Sequence, residues 1–324
     1  MDQVRTWDDT GMRCLIALLA LSGIVAGQSH RAQAVEVKVL STMLADRDGV
    51  GEWGFSALVV VDGHRILFDT GARPDTVLIN SKAMKVDLSS VPDVILTHNH
   101  GDHTGGLIAL KKSAGRDSLK TVHAGQGITW QRNRLSPGWE PMDQVRKTYE
   151  SLGGRFVIHD KPAELYPGVW LTGPVPRPYP EKNYGIGGQG KVRMPDGAMV
   201  EDTIPEDMSL VIDTDRGLVV LSGCGHSGII NTLEYARKIV RNAPIHAAIG
   251  GFHLFQLDEE KLQWTAGKLR EFGIQNFLGA HCTGIEATHR IRELTGLSRK
   301  TAAVAAVGAE FKLGQGLDPG SIAR

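Results

Sequence analysis

Apolar residues recur along this chain with two periods, one near two residues and one near 3.6. Short apolar or alternating runs between turn residues predict strands at 35–42, 55–61 and 64–69, the last two joined by Asp62-Gly63. Helical spacing predicts a helix over 75–86. A short buried strand at Val94-Ile95-Leu96 and a helix over 105–114 follow. Further strands are read at 119–123, 155–159 and 168–172. From Gly173 to Asp207 proline and glycine are frequent and periodicity fades, which predicts one long loop of the kind that forms lids or binding loops. The second half is more regular. Apolar, β-branched runs at 209–213 and 218–221 flank Thr214-Asp215-Arg216-Gly217, a hairpin signal. Helices over 229–241, 258–272 and 284–295 then alternate with strands at 245–249 and 274–278, and 302–313 reads as a final strand. Each half thus runs from hairpins into alternating helices and strands. That pattern predicts two similar ββαβα-like halves packed face to face, with helices outside.

Composition narrows the class. A 324-residue chain with 41% hydrophobic and 22% charged residues has the make-up of a globular protein with a substantial core. Its 36 basic and 36 acidic residues cancel, and no long basic run appears, which argues against a nucleic-acid partner. Near the start, Arg13, the apolar run from Cys14 to Ala26 and Ala32-Gln33-Ala34 form the pattern of a secretory signal peptide over 1–34. The mature domain would then be 35–324, periplasmic or secreted. Asp8-Asp9 fit that pattern poorly, which makes Met12 a candidate start. The run is shorter than the roughly 20 residues a membrane helix needs, and no later stretch is long and apolar enough for one. Cleavage removes Cys14 and leaves Cys224 and Cys282, too few for a disulfide scaffold. Both sit beside histidines in glycine-containing turns, which points to a site.

The strongest chemical signal is Thr97-His98-Asn99-His100-Gly101-Asp102-His103-Thr104-Gly105-Gly106, directly after a buried strand. Imidazole nitrogen and carboxylate oxygen are the donors that zinc and similar metals take. His98 and His100 point the same way in extended backbone. Asp102 and His103 follow where the chain turns into a helix and can face a second position, so the spacing allows two adjacent metals. The pattern recurs after three more apolar runs: Ser222-Gly223-Cys224-Gly225-His226, Gly250-Gly251-Phe252-His253 and His281-Cys282-Thr283-Gly284. These four turns carry six of the twelve histidines, and ligand sites in α/β sheets gather at the carboxyl ends of strands.

These motifs, together with Leu67-Phe68-Asp69-Thr70-Gly71, resemble the metallo-β-lactamase superfamily over nearly the whole mature chain. More narrowly they are similar to the subgroup named after dihydropteroate-synthase-like proteins. One characterised type in that subgroup joins a dihydropterin to an aminobenzene ribofuranosyl phosphate. The resemblance implies an α+β fold, a four-layer αββα sandwich, with the site at one edge between the sheets. It implies a divalent metal cofactor, one or two ions of zinc, manganese or iron. It assigns His98 and His100 to the first metal, Asp102 and His103 to the second, and His281 to the last histidine of the pattern. Where many relatives place a metal-bridging aspartate, this chain has Cys224. His226 is then read as a first-metal ligand and Cys224 as a ligand or near-ligand.

The implied activity is metal-dependent hydrolysis of an ester, lactone or phosphoester small molecule, with Asp102 orienting the nucleophile and His253 assisting the leaving group. A pterin-condensing synthase, a non-catalytic metal-binding or sensing protein and an iron-dependent oxidoreductase are the alternatives. For single residues, too, alternatives stand. Asp69 orients a ligand histidine or stabilises a turn. His253 is a ligand, a substrate contact or a proton donor. His123 is structural or functional, and Cys282 is a packed thiol or a disulfide partner of Cys224. His64, His159, His246 and His289 read as ordinary histidines.

Overall fold

The computed structural model describes residues 30–46, 48–133, 139–181 and 190–324. Most of the segment read as a signal peptide, with Met12 and Cys14, lies outside the described residues.

The first half builds strands β1 (Val35–Ser41), β2 (Ser56–Val61), β3 (His64–Phe68), β4 (Asp93–Leu96), β5 (Thr121–Gly125) and β6 (Arg155–His159). Helices α1 (Thr76–Ala83), α2 (Gly101–Thr104), α3 (Leu107–Ala114) and α4 (Met142–Ser151) lie between them. Then come β7 (Ala163–Tyr166), β8 (Val169–Leu171), and a small hairpin of β9 (Lys191–Arg193) with β10 (Met199–Glu201). The second half contains β11 (Leu210–Thr214), β12 (Gly217–Ser222), α5 (Ile229–Ile239), β13 (Ile245–Gly250), α6 (Glu259–Glu271), β14 (Asn276–Gly279), α7 (Ile285–Thr295) and β15 (Ala302–Val304). The chain closes with β16 (Glu310–Lys312) and β17 (Gly316–Asp318).

Two large sheets result, with strand orders β17-β16-β1-β2-β3-β4-β5-β6 and β15-β14-β13-β12-β11-β8-β7. In the first, β1, β2 and β3 pair antiparallel, and β3 to β6 run parallel. The second repeats the scheme: β11 and β12 are antiparallel, and β12 to β15 are parallel. The two-halves expectation is therefore met in the topology.

Side-chain alternation turns the sheets into four layers. On β2, Ala57, Val59 and Val61 face the second sheet, where they meet residues such as Leu210, Ile212, Val219, Leu221 and Ile249. Leu58 faces outward with Leu67, Val94 and Leu96 under α1, α3 and α4. Leu218, Val220 and Ala248 face outward beneath α5, α6 and α7. Burial on both faces is why these strands read as nearly continuous apolar runs.

Several expectations change. The predicted 302–313 strand is two strands in different sheets: Val304 pairs with Gly279, and Phe311 pairs with Val37. The chain crosses between sheets at 305–309. The predicted 105–114 helix is α3, and the short α2 precedes it. The 173–207 loop carries the β9–β10 hairpin, and α4 and β7 were not foreseen. Residues 31–34 are part of the fold. Ala32 is buried and its N–H donates to the Asp213 carbonyl at 2.7 Å. The Gln33 and Ala34 N–H groups donate to Asp62 Oδ1 at 3.0 and 2.8 Å.

Candidate metal centre

Five strand ends meet at one rim between the sheets. β3 ends in Asp69, β4 in the His98–His103 turn, β12 in Cys224 and His226, β13 in His253, and β14 in His281 and Cys282. The β3 and β4 turns are tied together, since the Thr70 N–H and hydroxyl both donate to the His103 carbonyl, at 2.7 and 2.8 Å. His100, with φ −120° and ψ 142°, is the extended residue just before α2. The change from extended to helical backbone there sends His98 and His100 one way, and Asp102 and His103 another.

The donor atoms fall into adjoining groups. His98 Nε2 lies 3.1 Å from His100 Nδ1 and 3.2 Å from His226 Nε2. Beside this trio, His281 Nε2 lies 3.3 Å from both His103 Nε2 and Asp102 Oδ2. Cys224 Sγ stands 3.1 Å from His103 Nε2. In each group the donors lie within 4.8 Å of one another.

The tautomers explain why these nitrogens converge. Asp69 Oδ2 accepts from His103 Nδ1 at 2.7 Å and from the Thr97 hydroxyl at 2.9 Å, while Asp69 Oδ1 accepts from the Thr97 N–H at 2.9 Å. With its proton committed to Asp69, the Thr97 hydroxyl accepts from His98 Nδ1 at 2.9 Å. The Nε2 atom of His98 therefore carries a lone pair aimed into its group, and Nε2 of His103 is the ring nitrogen left to face the other. Lone pairs pointed at one another at such distances repel unless a cation lies among them. Asp102 Oδ1 is also buried without a protein partner. The donor set thus fits divalent metal, with Asp69 orienting ligands in both groups.

Electrostatics point the same way. Burial and the surrounding imidazoles hold His98 well below the usual histidine range, and burial lowers His100 to about 4. Burial opposes the Asp102 charge, but His103 and His281 outweigh it and keep the carboxylate ionised. Burial likewise opposes a charge on His103, yet Asp69 and Asp102 push its pKa up to about 9, so its Nε2 holds a proton that a bound cation would displace. Asp69, His253 and His281 all hold positive φ, at 53°, 51° and 46°, a strained region for non-glycine residues that recurs at functional sites.

His253 lies beside His226, ring centroids 4.9 Å apart. Cys224 and Cys282 are buried free thiols with Sγ atoms 3.3 Å apart, so the proposed disulfide is not formed. His123 is elsewhere, bonded to Asp93 at 3.1 Å and His159 at 3.0 Å in the sheet. Sequence reasoning missed Glu206, which is fully buried, accepts from the Asn99 N–H at 2.9 Å and pairs with Arg132 at 2.7 Å. It missed Asp207, which accepts from the Ser227 N–H at 2.8 Å. These two carboxylates brace the His98–His100 and His226 turns from a segment without periodicity, so no local signal could have found them.

Gly223 packs against the orienting pair: a side chain there would collide with the Thr97 hydroxyl and the Asp69 carboxylate. Gly223→Ala is expected to destabilise the fold by about 1–3 kcal/mol and to weaken metal retention. Denaturant titration and dialysis against a chelator measure both; an unchanged variant would contradict the packing described.

Residues 53–123 match the family model described as the metallo-beta-lactamase superfamily. The chain is 32% identical over 251 residues to the 7,8-dihydropterin-6-methyl-4-(beta-D-ribofuranosyl)-aminobenzene-5'-phosphate synthase of Methanocaldococcus jannaschii, covering 74% of this chain and 84% of that one. This chain belongs to the metallo-β-lactamase superfamily. A second M. jannaschii protein, uncharacterised, is 29% identical over 268 residues, covering 80% of this chain and 94% of its own. Among solved structures, Tm1679, described as a metal-dependent hydrolase of the beta-lactamase superfamily, superposes with a TM-score of 0.69 at 26% identity. That likeness covers 85% of this chain and 98% of Tm1679. The superfamily's fold is the four-layer arrangement of the two sheets.

Proposed function

We propose that this metallo-β-lactamase superfamily member is a metal-dependent hydrolase acting on an ester, lactone or phosphoester. The observation that carries the reading is the pair of adjoining donor groups with Asp102 Oδ1 unpartnered beside them. His98, His100 and His226 would hold one ion. Asp102, His103 and His281 would hold the other, with the Cys224 sulfur alongside. A divalent ion held there would supply Lewis acidity and would bring the pKa of water down to about 7. Asp102, kept ionised, accepts a hydrogen bond from the attacking water at Oδ1 and orients it. A cleft of about 490 Å³ runs between α3 and α4, lined by Ile108, Lys112 and Val145 among others, and reaches the His98–His103 turn at Asn99, Gly101 and Thr104. The description of Tm1679 as a hydrolase supports this reading.

The synthase is the second reading. It is favoured by the identity to the M. jannaschii enzyme and by an aromatic wall at the mouth. Trp53 and Phe255 are 48% and 40% exposed, and Trp53 packs on His281 with ring centroids 4.9 Å apart. Such a wall suits a planar ring such as that of a pterin. The test is turnover by metal-loaded protein of ester, lactone and phosphodiester panels, alongside a dihydropterin with a ribofuranosylaminobenzene phosphate. Hydrolysis that disappears with chelation is expected. Coupling of the second pair without hydrolysis would replace the first reading by the second.

The same reading has the chain exported, on the strength of the apolar run from Cys14 to Ala26. Cleavage after Ala34 would discard the bonds that Ala32, Gln33 and Ala34 make to Asp213 and Asp62. A cut upstream of His30 keeps them. The mass of the native protein is expected to show a mature chain that starts before His30; a folded product starting at Val35 would contradict this.

A further inference from the structure

Cys224, His253 and Cys282 follow three successive parallel strands, β12, β13 and β14. Their donor atoms all lie within 4.8 Å of one another, a grouping separate from the two described above except for Cys224. Both thiols are buried, with Sγ atoms 3.3 Å apart, and Cys282 Sγ also bonds the His253 side chain and lies 3.8 Å from the Cys224 carbonyl. The His253 backbone sits at φ 51°, and its Nδ1 is buried without a hydrogen-bond partner. Gly251 lets the loops close: a side chain there would collide with the Gly223 carbonyl and come within 3.0 Å of Cys282 Sγ. Three separate strand ends are thus drawn together around two sulfurs and an imidazole, with a positive φ at His253.

Two thiolates and one imidazole form a soft donor set, suited to zinc, cadmium or another thiophilic ion. We propose that Cys224, His253 and Cys282 form a cation position of their own, adjoining the imidazole–carboxylate pair, with the Cys224 sulfur shared between this position and the group of His103. On binding, both S–H bonds break, the protons pass to solvent and two metal–sulfur bonds form, with no oxidation. Three protein donors leave one tetrahedral position open. Of the roles open to His253, this assigns that of ligand.

Cadmium titration of the purified full chain tests this, read by ultraviolet thiolate-to-cadmium absorption and by bound cadmium per chain. Wild type is expected to develop the absorption and to bind one more ion than Cys282→Ala. That variant should lose about half of the absorption while keeping its zinc at the imidazole positions. Cys282→His, which restores a donor, should regain the extra ion but not the lost absorption. Circular dichroism checks that each variant is folded; if the alanine variant is not, Cys282→Ser, a poor cadmium ligand, takes its place. Equal cadmium binding by wild type and the donor-free variant overturns the proposal, as does a wild type with no thiolate absorption. Zinc content and hydrolysis are measured in parallel, so failure of this position is distinguishable from failure of the hydrolase reading.

Discussion

His226→Ala is expected to release the ion held with His98 and His100 and to abolish turnover. The three nitrogens come from two sheets: His98 and His100 follow β4 of the first, and His226 follows β12 of the second. Removing His226 leaves two imidazoles on one turn and takes away the imidazole that the facing sheet contributes. Loss of an orienting partner alone typically costs 10–100-fold in metal affinity, so loss of the ligand should cost at least about 100-fold. Turnover on any substrate found should fall below about 1% of wild type. Metal analysis after gel filtration and steady-state kinetics measure the two effects, with circular dichroism as the check on folding. A folded variant with full metal content would remove His226 from the ligand set.

Asp69→Ala carries the second-largest effect, because one carboxylate serves both groups. It holds His103 directly at 2.7 Å and His98 through the Thr97 hydroxyl. Without it, the His103 ring loses the bond that turns Nε2 toward the metal, and Thr97 no longer fixes the orientation of His98. Metal affinity at both positions is expected to fall 10- to 100-fold. Leaving buried His103 without its partner should cost about 3–5 kcal/mol of stability in the metal-free protein. Chelator competition and urea unfolding separate the two effects. If stability falls while the affinity of the folded protein is unchanged, Asp69 is only the turn-stabilising residue that its place after β3 also allows.

The sequence made the metal groups legible because their donors are local. His98, His100, Asp102 and His103 lie within one turn, and periodicity alone predicts the change from extended to helical backbone that separates them. The remaining donors each follow a buried apolar run, so the strand pattern already placed them at one rim. What stayed hidden acts across long sequence separations. Glu206 braces Asn99 from more than a hundred residues away, and the Asp69–His103 bond joins two turns that only the folded sheet brings together. The crossing at 305–309 was illegible for another reason. β15 and β16 have three residues each, too few to show a period of their own, and tertiary pairing alone assigns them to different sheets. Helix α4 buries Met142, Val145 and Tyr149, a helical spacing sparse enough to pass for a polar connection.

The most direct test of the two-position centre is anomalous diffraction from crystals of the metal-loaded protein, collected on either side of the metal's absorption edge. One peak is predicted among His98, His100 and His226 and another among Asp102, His103 and His281, apart from the ion proposed at Cys224, His253 and Cys282. A fully loaded crystal with no peak at either position, after reconstitution with zinc, manganese and iron in turn, would contradict the account.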